Sequence, residues 1–232
     1  MVKQNIVVAT IRPWNIERFA RWVPPEGYEA QLISDKGSLT LSALTQLAPR
    51  YVFFPHWSWI IPTEILNNFE CVLFHMTNLP FGRGGSPMQN LIEQGIYQTK
   101  ISAIRVADGL DEGPVYLKRS LDLSTGSAQQ LFEKMADEIF VMMTEITTTQ
   151  PQPVEQSGEP TFFKRRTPEQ SQITPGLSGR KLYDFIRMLD AEGYPRAFAH
   201  VGDVRVEFSG AELLDNEQVA ARAIFKSIDP IV

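Results

Sequence analysis

The chain is short of the residues that build metal and disulfide chemistry: of 232 residues, one is cysteine and three are histidine. A single cysteine excludes a disulfide framework and a cysteine zinc site. It lies in an apolar run, Cys71-Val72-Leu73-Phe74, where a thiol behaves as a small hydrophobe. No segment approaches the ~20 apolar residues that span a bilayer. Arg12 and Glu17 follow the first apolar run too closely for a signal peptide. Positive charge is also scarce, with 22 Lys and Arg against 27 Asp and Glu, a formal net charge of −5. That balance argues against broad nucleic-acid binding, while leaving room for a local basic patch that reads one or two phosphates. A soluble, cytoplasmic protein is expected.

What is present is an alternation of short apolar runs and helical stretches, the pattern of a doubly wound α/β fold with a mostly parallel sheet. Ile6 to Thr10 opens the chain as a strand, and a helix follows from about Asn15. Ala30 to Ser34, Tyr51 to Phe54 and Glu70 to His75 are the next strands, with helices at Leu39 to Leu47 and Pro62 to Asn67 between them. The unbroken apolar character of Tyr51 to Phe54 fits a strand buried on both faces. A Gly- and Pro-rich loop, Met76 to Pro87, leads to a helix from Met88 to Gln94. Two extended segments, Lys100 to Ala107 and Val115 to Leu121, flank the tight stretch Asp108 to Pro114. The longest helix is expected from Ser127, a capping residue type, to Ile146. Its Leu131, Met135, Ile139 and Met143 repeat every four residues, one core-facing stripe. Thr147 to Pro160, full of Thr, Gln and Pro, reads as a linker or surface crossing. The expected division is therefore an α/β domain over 1–150 and a linker with a small α+β appendage over 151–232. The appendage has a helix marked by Leu182, Phe185, Ile186 and Leu189, and a hairpin of Ala197 to Val201 and Val204 to Phe208 around Gly202-Asp203.

Ligands of open α/β sheets gather outside the carboxyl ends of the strands. Two segment ends here carry ionisable groups beside Gly-rich loops. His75 closes its strand and leads into Met76-Thr77-Asn78-Leu79-Pro80-Phe81-Gly82-Arg83-Gly84-Gly85-Ser86-Pro87, and Asp111 sits in Asp108-Gly109-Leu110-Asp111-Glu112-Gly113-Pro114. Taken alone, a histidine at a strand end and an aspartate in a Gly-flanked turn are ordinary structural residues.

Together they resemble the signature of the folate-dependent formyltransferases. His75, Leu79, Pro80, Arg83, Gly84 and Pro87 fill the first motif, and Gly109, Leu110, Asp111 and Gly113 fill the second. The resemblance runs from about Ile6 to Leu213. It implies a Rossmann-like domain that holds 10-formyltetrahydrofolate and passes its formyl group to a primary amine, with no metal. The amine attacks only as the free base, so a group must accept its proton. The oxyanion formed needs a donor, and the leaving folate nitrogen needs a proton. An imidazole, with an ordinary pKa of about 6.5, serves as acceptor or donor at neutral pH. His75 is assigned to proton transfer and oxyanion stabilisation, and Asp111 to orienting it and relaying protons. Phe54, Arg83, Gly84, Asp108, Gly109 and Leu110 are assigned to the folate. One departure stands out: the family's catalytic Asn, two residues before the His, is Leu73 here. Asn78, Thr77, His56 and Ser58 are the candidate replacement donors.

For the acceptor, Phe163-Lys164-Arg165-Arg166-Thr167-Pro168-Glu169 and Gly193-Tyr194-Pro195-Arg196 resemble the corresponding part of sugar-nucleotide N-formyltransferases. Phe54 to Pro62, together with Phe74-His75-Met76-Thr77, resembles a subgroup acting on 4-amino sugars, such as those of the pseudaminic acid pathway. Arg165 and Arg166 would then grip acid or phosphate, Trp14 would stack on a base or pterin, and Arg12 is assigned to the substrate beside them. The expected substrate is a nucleotide-linked amino sugar. A membrane or nucleic-acid partner is not expected, and a homodimer is left open. The alternative readings are methionyl-tRNA as acceptor, or a folate- or nucleotide-binding protein that has lost catalysis with its Asn.

Overall fold

The structure, a computed structural model, describes residues 3–227. Its elements in chain order are β1 (Gln4–Ala9), α1 (Pro13–Arg21), β2 (Tyr28–Ile33), α2 (Leu41–Leu47), β3 (Pro49–Phe54), α3 (Thr63–Leu66) and β4 (Cys71–His75). They continue with β5 (Arg83–Gly84), α4 (Pro87–Glu93), β6 (Gln98–Arg105), β7 (Val115–Asp122), α5 (Ala128–Thr149) and β8 (Phe162–Phe163). The last are α6 (Gly179–Arg187), β9 (Phe198–Val201), β10 (Val204–Leu213) and β11 (Val219–Ser227). Among the described residues the chain divides into two compact units. One holds residues 3–84, 99–121 and 133–162; the other holds 85–98, 122–132 and 163–227.

The first unit is built on a six-stranded sheet in the order β2-β1-β3-β4-β6-β7. β1 pairs in parallel with β2 and β3, and β3 with β4. β6 then runs antiparallel to β4, so the sheet is mostly rather than wholly parallel. Successive side chains of a strand point to opposite faces, and here both faces are dry. Val7, Ala9, Val52, Phe54 and Cys71 share one apolar cluster with Leu44 of α2 and Ile65 of α3. The intervening Tyr51 and Phe53 stack at 5.4 Å on the other face, where Phe53 meets Phe74 at 6.1 Å. Burial of an aromatic or aliphatic side chain of this size contributes about 1.5–3 kcal/mol, which is why these runs needed no alternation to become strands.

Helix ends follow local chemistry. Thr40 Oγ1 accepts from Ala43 N–H at 3.1 Å to start α2, and Pro13 opens α1 at the position where proline costs no hydrogen bond. Ser127 Oγ accepts from Gln130 N–H while Gln130 Oε1 accepts from Ser127 N–H, a reciprocal cap at the head of α5. That helix runs on to Thr149, past the expected Ile146, with the hydroxyls of Thr148 and Thr149 folded back onto helix carbonyls. No helix among the described residues is long and apolar enough to cross a membrane.

In the second unit, α6 is held by a buried charge cluster. Asp184 receives Arg187 Nε at 2.7 Å, Arg180 Nε at 2.9 Å and the Tyr97 hydroxyl at 2.6 Å. Arg187 also donates to the carbonyls of Leu123 and Gly126. The expected hairpin forms, with Val204 opposite Val201. Beyond it β10 continues to Leu213 and pairs with β11, a strand the sequence pattern did not announce.

Candidate active site

β4 carries His75 at its carboxyl end, where the ring is buried with its side chain 6% exposed. Nδ1 lies 3.5 Å from Asp111 Oδ2, and Nε2 lies 2.8 Å from the Gly82 carbonyl oxygen. Both ring nitrogens therefore face acceptors. A neutral imidazole donates to one of them at a time, and a protonated one to both, so the ring is placed to hold and hand on a proton. The Asp111 carboxylate, 9% exposed, is fixed from its other side by the Gly84 N–H, which donates to Oδ2 at 2.8 Å.

The route by which Asp111 arrives differs from that expected of two parallel strand ends. In the β4–β6 register His75 faces Ser102, and Arg105 lies beside Val72. The chain thus leaves β6 three residues upstream of His75, and the 106–114 loop must fold back along β4. Three features shape that return. Asp111 adopts φ +52, a left-handed conformation that aspartate tolerates better than most residues. Gly113 packs so closely on Arg105 that a Cβ would stand 1.7 Å from its carbonyl oxygen. Gln156 Nε2 donates to the carbonyls of Asp111 and Gly113, each at 2.8 Å.

The His75 loop is tied as firmly. Ser102 Oγ donates to the Thr77 carbonyl at 2.7 Å. Lys118 Nζ donates to Asn78 Oδ1 at 2.8 Å and to the Leu79 carbonyl. Burial lowers the pKa of Lys118, and neighbouring Lys100 acts in the same direction. Thr161 Oγ1 accepts from Gly82 N–H at 2.7 Å, and its carbonyl accepts from Arg83 N–H at 2.9 Å.

The remaining assigned residues fall into distinct surroundings. Arg83 spends its guanidinium on Gln156 Oε1, at 2.9 and 3.3 Å, and on Glu112 at 3.5 Å. Asp108 and Leu110 are exposed on the loop, Leu110 by 63%. Phe54 is wholly buried, edge-on to Trp57. Leu73, on the same strand face as His75, is half-buried and packs with Trp57 and Val106 against the apolar cluster. Of the candidate donors, Thr77 is buried with its hydroxyl 3.5 Å from the Gly82 carbonyl. Asn78 is exposed with its carbonyl taken by Lys118. Ser58 receives Arg12 Nη2 at 3.2 Å, and His56, at φ +56, lies 5.5 Å from the Trp14 ring. Trp14 also borders a polar groove of about 290 Å³ with Arg18, Arg21, Glu133 and Asp137, which includes neither His75 nor Asp111.

Arg165 and Arg166 belong to the second unit. Gly85 lies against the Arg165 backbone, where a Cβ would come within 2.7 Å of its Cα. Arg166 is engaged by Glu93 and the Gln170 carbonyl, and its N–H by Ser86 Oγ. The structure thus gives Arg166 a local anchoring task. Cys71 is no nucleophile: burial pushes its thiol up to about 12, with Glu70 adding to the effect. Among the described residues no group of three or more His, Cys, Asp or Glu is placed to hold a metal. Gln156 and Thr161 escaped the sequence reading, since they stand in a polar stretch with no periodicity to mark them.

Known proteins are similar to this chain in sequence and fold. Residues 20–146 match the family model described as formyl transferase, and residues 168–226 match the methionyl-tRNA formyltransferase C-terminal domain. A methionyl-tRNA formyltransferase of Francisella philomiragia is 27% identical over 80% of this chain. The chain spans 62% of that relative's length. A solved structure described as methionyl-tRNA formyltransferase from Clostridium thermocellum is 48% identical, with a TM-score of 0.93 over 97% of this chain and 99% of that one. A 4-N formyltransferase from Francisella tularensis shares the fold at 12% identity, with a TM-score of 0.65 over 98% and 99% of the two chains. The family model alone covers more than half of the sequence, and the chain belongs to the formyl transferase family.

Proposed function

We propose that this protein is an N-formyltransferase that moves a formyl group from 10-formyltetrahydrofolate to a primary amine, the amino group of a nucleotide-linked amino sugar. The observation that carries the reading is the His75–Asp111 pair, buried, 3.5 Å apart and backed by the Gly82 carbonyl and the Gly84 N–H. In formyl transfer a C–N bond forms to the acceptor nitrogen, which sheds a proton, and a C–N bond to the folate breaks, whose nitrogen takes one up. His75, with an acceptor at each ring nitrogen, is built to carry that proton between the two. Asp111 orients the ring and balances its charge. Arg83, Gly84, Asp108, Gly109 and Leu110, on the two loops that meet beside the pair, are the groups offered to the folate; Phe54 would act only from beneath, through packing. Leu73 supplies no oxyanion donor, and Thr77 and Asn78 are the polar side chains nearest to His75 in the following loop.

The amino-sugar acceptor rests on the acidic balance of the chain, −5 overall, which gives the phosphates of a tRNA no broad attraction. A second reading, methionyl-tRNA as acceptor, is favoured by the 48% identity to the Clostridium thermocellum chain and by the match over residues 168–226. One experiment separates them. The protein is given 10-formyltetrahydrofolate with a 4-amino-4,6-dideoxy sugar nucleotide or with methionyl-tRNA, and the formylated product is followed by mass spectrometry, with His75→Ala and Asp111→Asn as controls. Formylation of the sugar alone supports the first reading, and of the tRNA alone the second. Transfer to neither, with folate bound, would point to a binding protein.

A further inference from the structure

We propose that Gln156 is a positioning residue for the His75–Asp111 pair, and that the stretch from Val154 to Thr161 is a strap that cross-ties the two motif loops. The inference rests on the formyltransferase reading for its kinetic consequence, but not for its geometry.

The strap is anchored at both ends. At Val154 it forms an antiparallel bridge with Val115, N–H to carbonyl in each direction at 2.7 and 2.8 Å. At Thr161 it takes the Gly82 and Arg83 N–H groups and donates its own N–H to the Pro80 carbonyl. Between these ends Gln156 reaches inward, half-buried. Its amide orientation is dictated by its neighbours. Arg83 only donates, so Oε1 must face it; the carbonyls of Asp111 and Gly113 only accept, so Nε2 must face them. Four hydrogen bonds at 2.8 to 3.3 Å result.

What these bonds join is the frame of the site. Residues 82–84 touch both members of the pair, through the Gly82 carbonyl on His75 and the Gly84 N–H on Asp111. Gln156 locks Arg83, in the middle of that stretch, to the backbone of the loop that carries Asp111. It grips that loop at Asp111 itself, where the backbone is left-handed, and two residues on at Gly113. Without Gln156 the carboxylate is held by the Gly84 N–H, and the two loops are tied beside it by the long Arg83–Glu112 contact at 3.5 Å. Outer partners of this kind fix the direction of a reacting side chain, and their loss typically reduces function about 10–100-fold.

The test uses Gln156→Ala and Gln156→Glu in the full chain. The glutamate still accepts from Arg83 but cannot donate to the two carbonyls, so it does not rescue. Both variants are expected to lower kcat about 10–100-fold while KM for the acceptor stays within about twofold. In the ligand-free protein, the ¹⁵N resonances of the His75 ring are expected to move toward those of Asp111→Asn. Two results overturn the proposal: a loss of Tm with kcat unchanged, or a His75 spectrum that stays in place in both variants while Asp111→Asn displaces it. If the wild type formylates no acceptor offered, the activity reading fails, and the ring spectra still decide the role of Gln156.

Discussion

The backbone N–H of Gly84 donates to Asp111 Oδ2 at 2.8 Å. The same oxygen faces His75 Nδ1 at 3.5 Å, so one lone-pair region serves the loop and the other serves the ring. Asp111→Asn keeps an acceptor for Gly84 and removes the charge beside the imidazole. The variant is expected to fold with a Tm near that of the wild type and to lose about 10²–10⁴-fold in kcat, the range for a misdirected acid–base group. Initial rates of formyl transfer beside a thermal melt check this, and a variant with wild-type turnover would remove Asp111 from the mechanism.

Away from the site, Glu70 gathers Arg50 and Arg105 at 2.8 Å each, with the Tyr116 hydroxyl also on its carboxylate. Burial alone would raise its pKa; the hydrogen bonds from Tyr116, Arg50 and Arg105 outweigh it and hold the group at about 2. A carboxyl held below its unfolded value of about 4.3 stabilises the fold only while ionised. Its contribution is whole above about pH 4.5, shrinks as the pH falls, and is gone below about pH 2. Urea unfolding of wild type and Glu70→Gln is expected to show a gap that closes on acidification through this window. A gap that stays constant would mean that Glu70 titrates alike in both states.

How far the sequence could be read follows from what each residue must satisfy. Ile6 to Ala9 and Tyr51 to Phe54 are buried on both faces, as are Cys71, Val72 and Phe74 around the half-buried Leu73, so their unbroken apolar character announced the strands of the sheet. His75 and Asp111 were legible as motif members expected to act together, yet the route that joins them was not, because it depends on β6 running antiparallel and on a loop that doubles back over three register positions. Gln156 and Thr161 act through backbone carbonyls and N–H groups, which leave no pattern in side-chain polarity. β10 was expected to stop at Phe208, just before Ser209-Gly210-Ala211. In the structure that stretch is a register shift with Gly210 at φ +59, a bulge that lets the strand continue. β11 is exposed along almost its whole length, so no alternation marked it.

Arg187 and Asp184 make a stability test. Arg187 is 1% and Asp184 4% exposed, and their side chains meet at 2.7 Å. Removing one partner of a buried pair strands the other, at about 3–5 kcal/mol. Asp184→Ala leaves Arg187 and Arg180 without their shared carboxylate and the Tyr97 hydroxyl without its acceptor. Chemical denaturation is expected to show a loss in that range. Surface pairs such as Arg119–Glu145, about two-fifths exposed, should cost under about 1 kcal/mol when broken. Equal losses from the two would refute the ranking.

The two glycines that flank Asp111 should respond unequally to the same substitution. At Gly113 an added Cβ would stand 1.7 Å from the Arg105 carbonyl oxygen and 3.0 Å from its carbon, atoms of a strand backbone that cannot give way. At Gly109 the Cβ would meet Glu112 Oε1 at 1.5 Å, the end of a flexible side chain whose contact with Arg83 is long, at 3.5 Å. Gly113→Ala must therefore lift the loop off β6, drawing Asp111 from His75 and opening the Gln156 bonds. Its turnover is expected to fall by about 10²-fold or more, since a displacement of about 1 Å at a reacting pair costs that much. Gly109→Ala turns Glu112 outward and leaves Asp111 in place; since Gly109 is offered to the folate, its cost is expected in KM for folate, with kcat falling far less than in Gly113→Ala. Assayed side by side, similar activities for the two variants would show that the close approach of Gly113 to Arg105 does not set the position of Asp111.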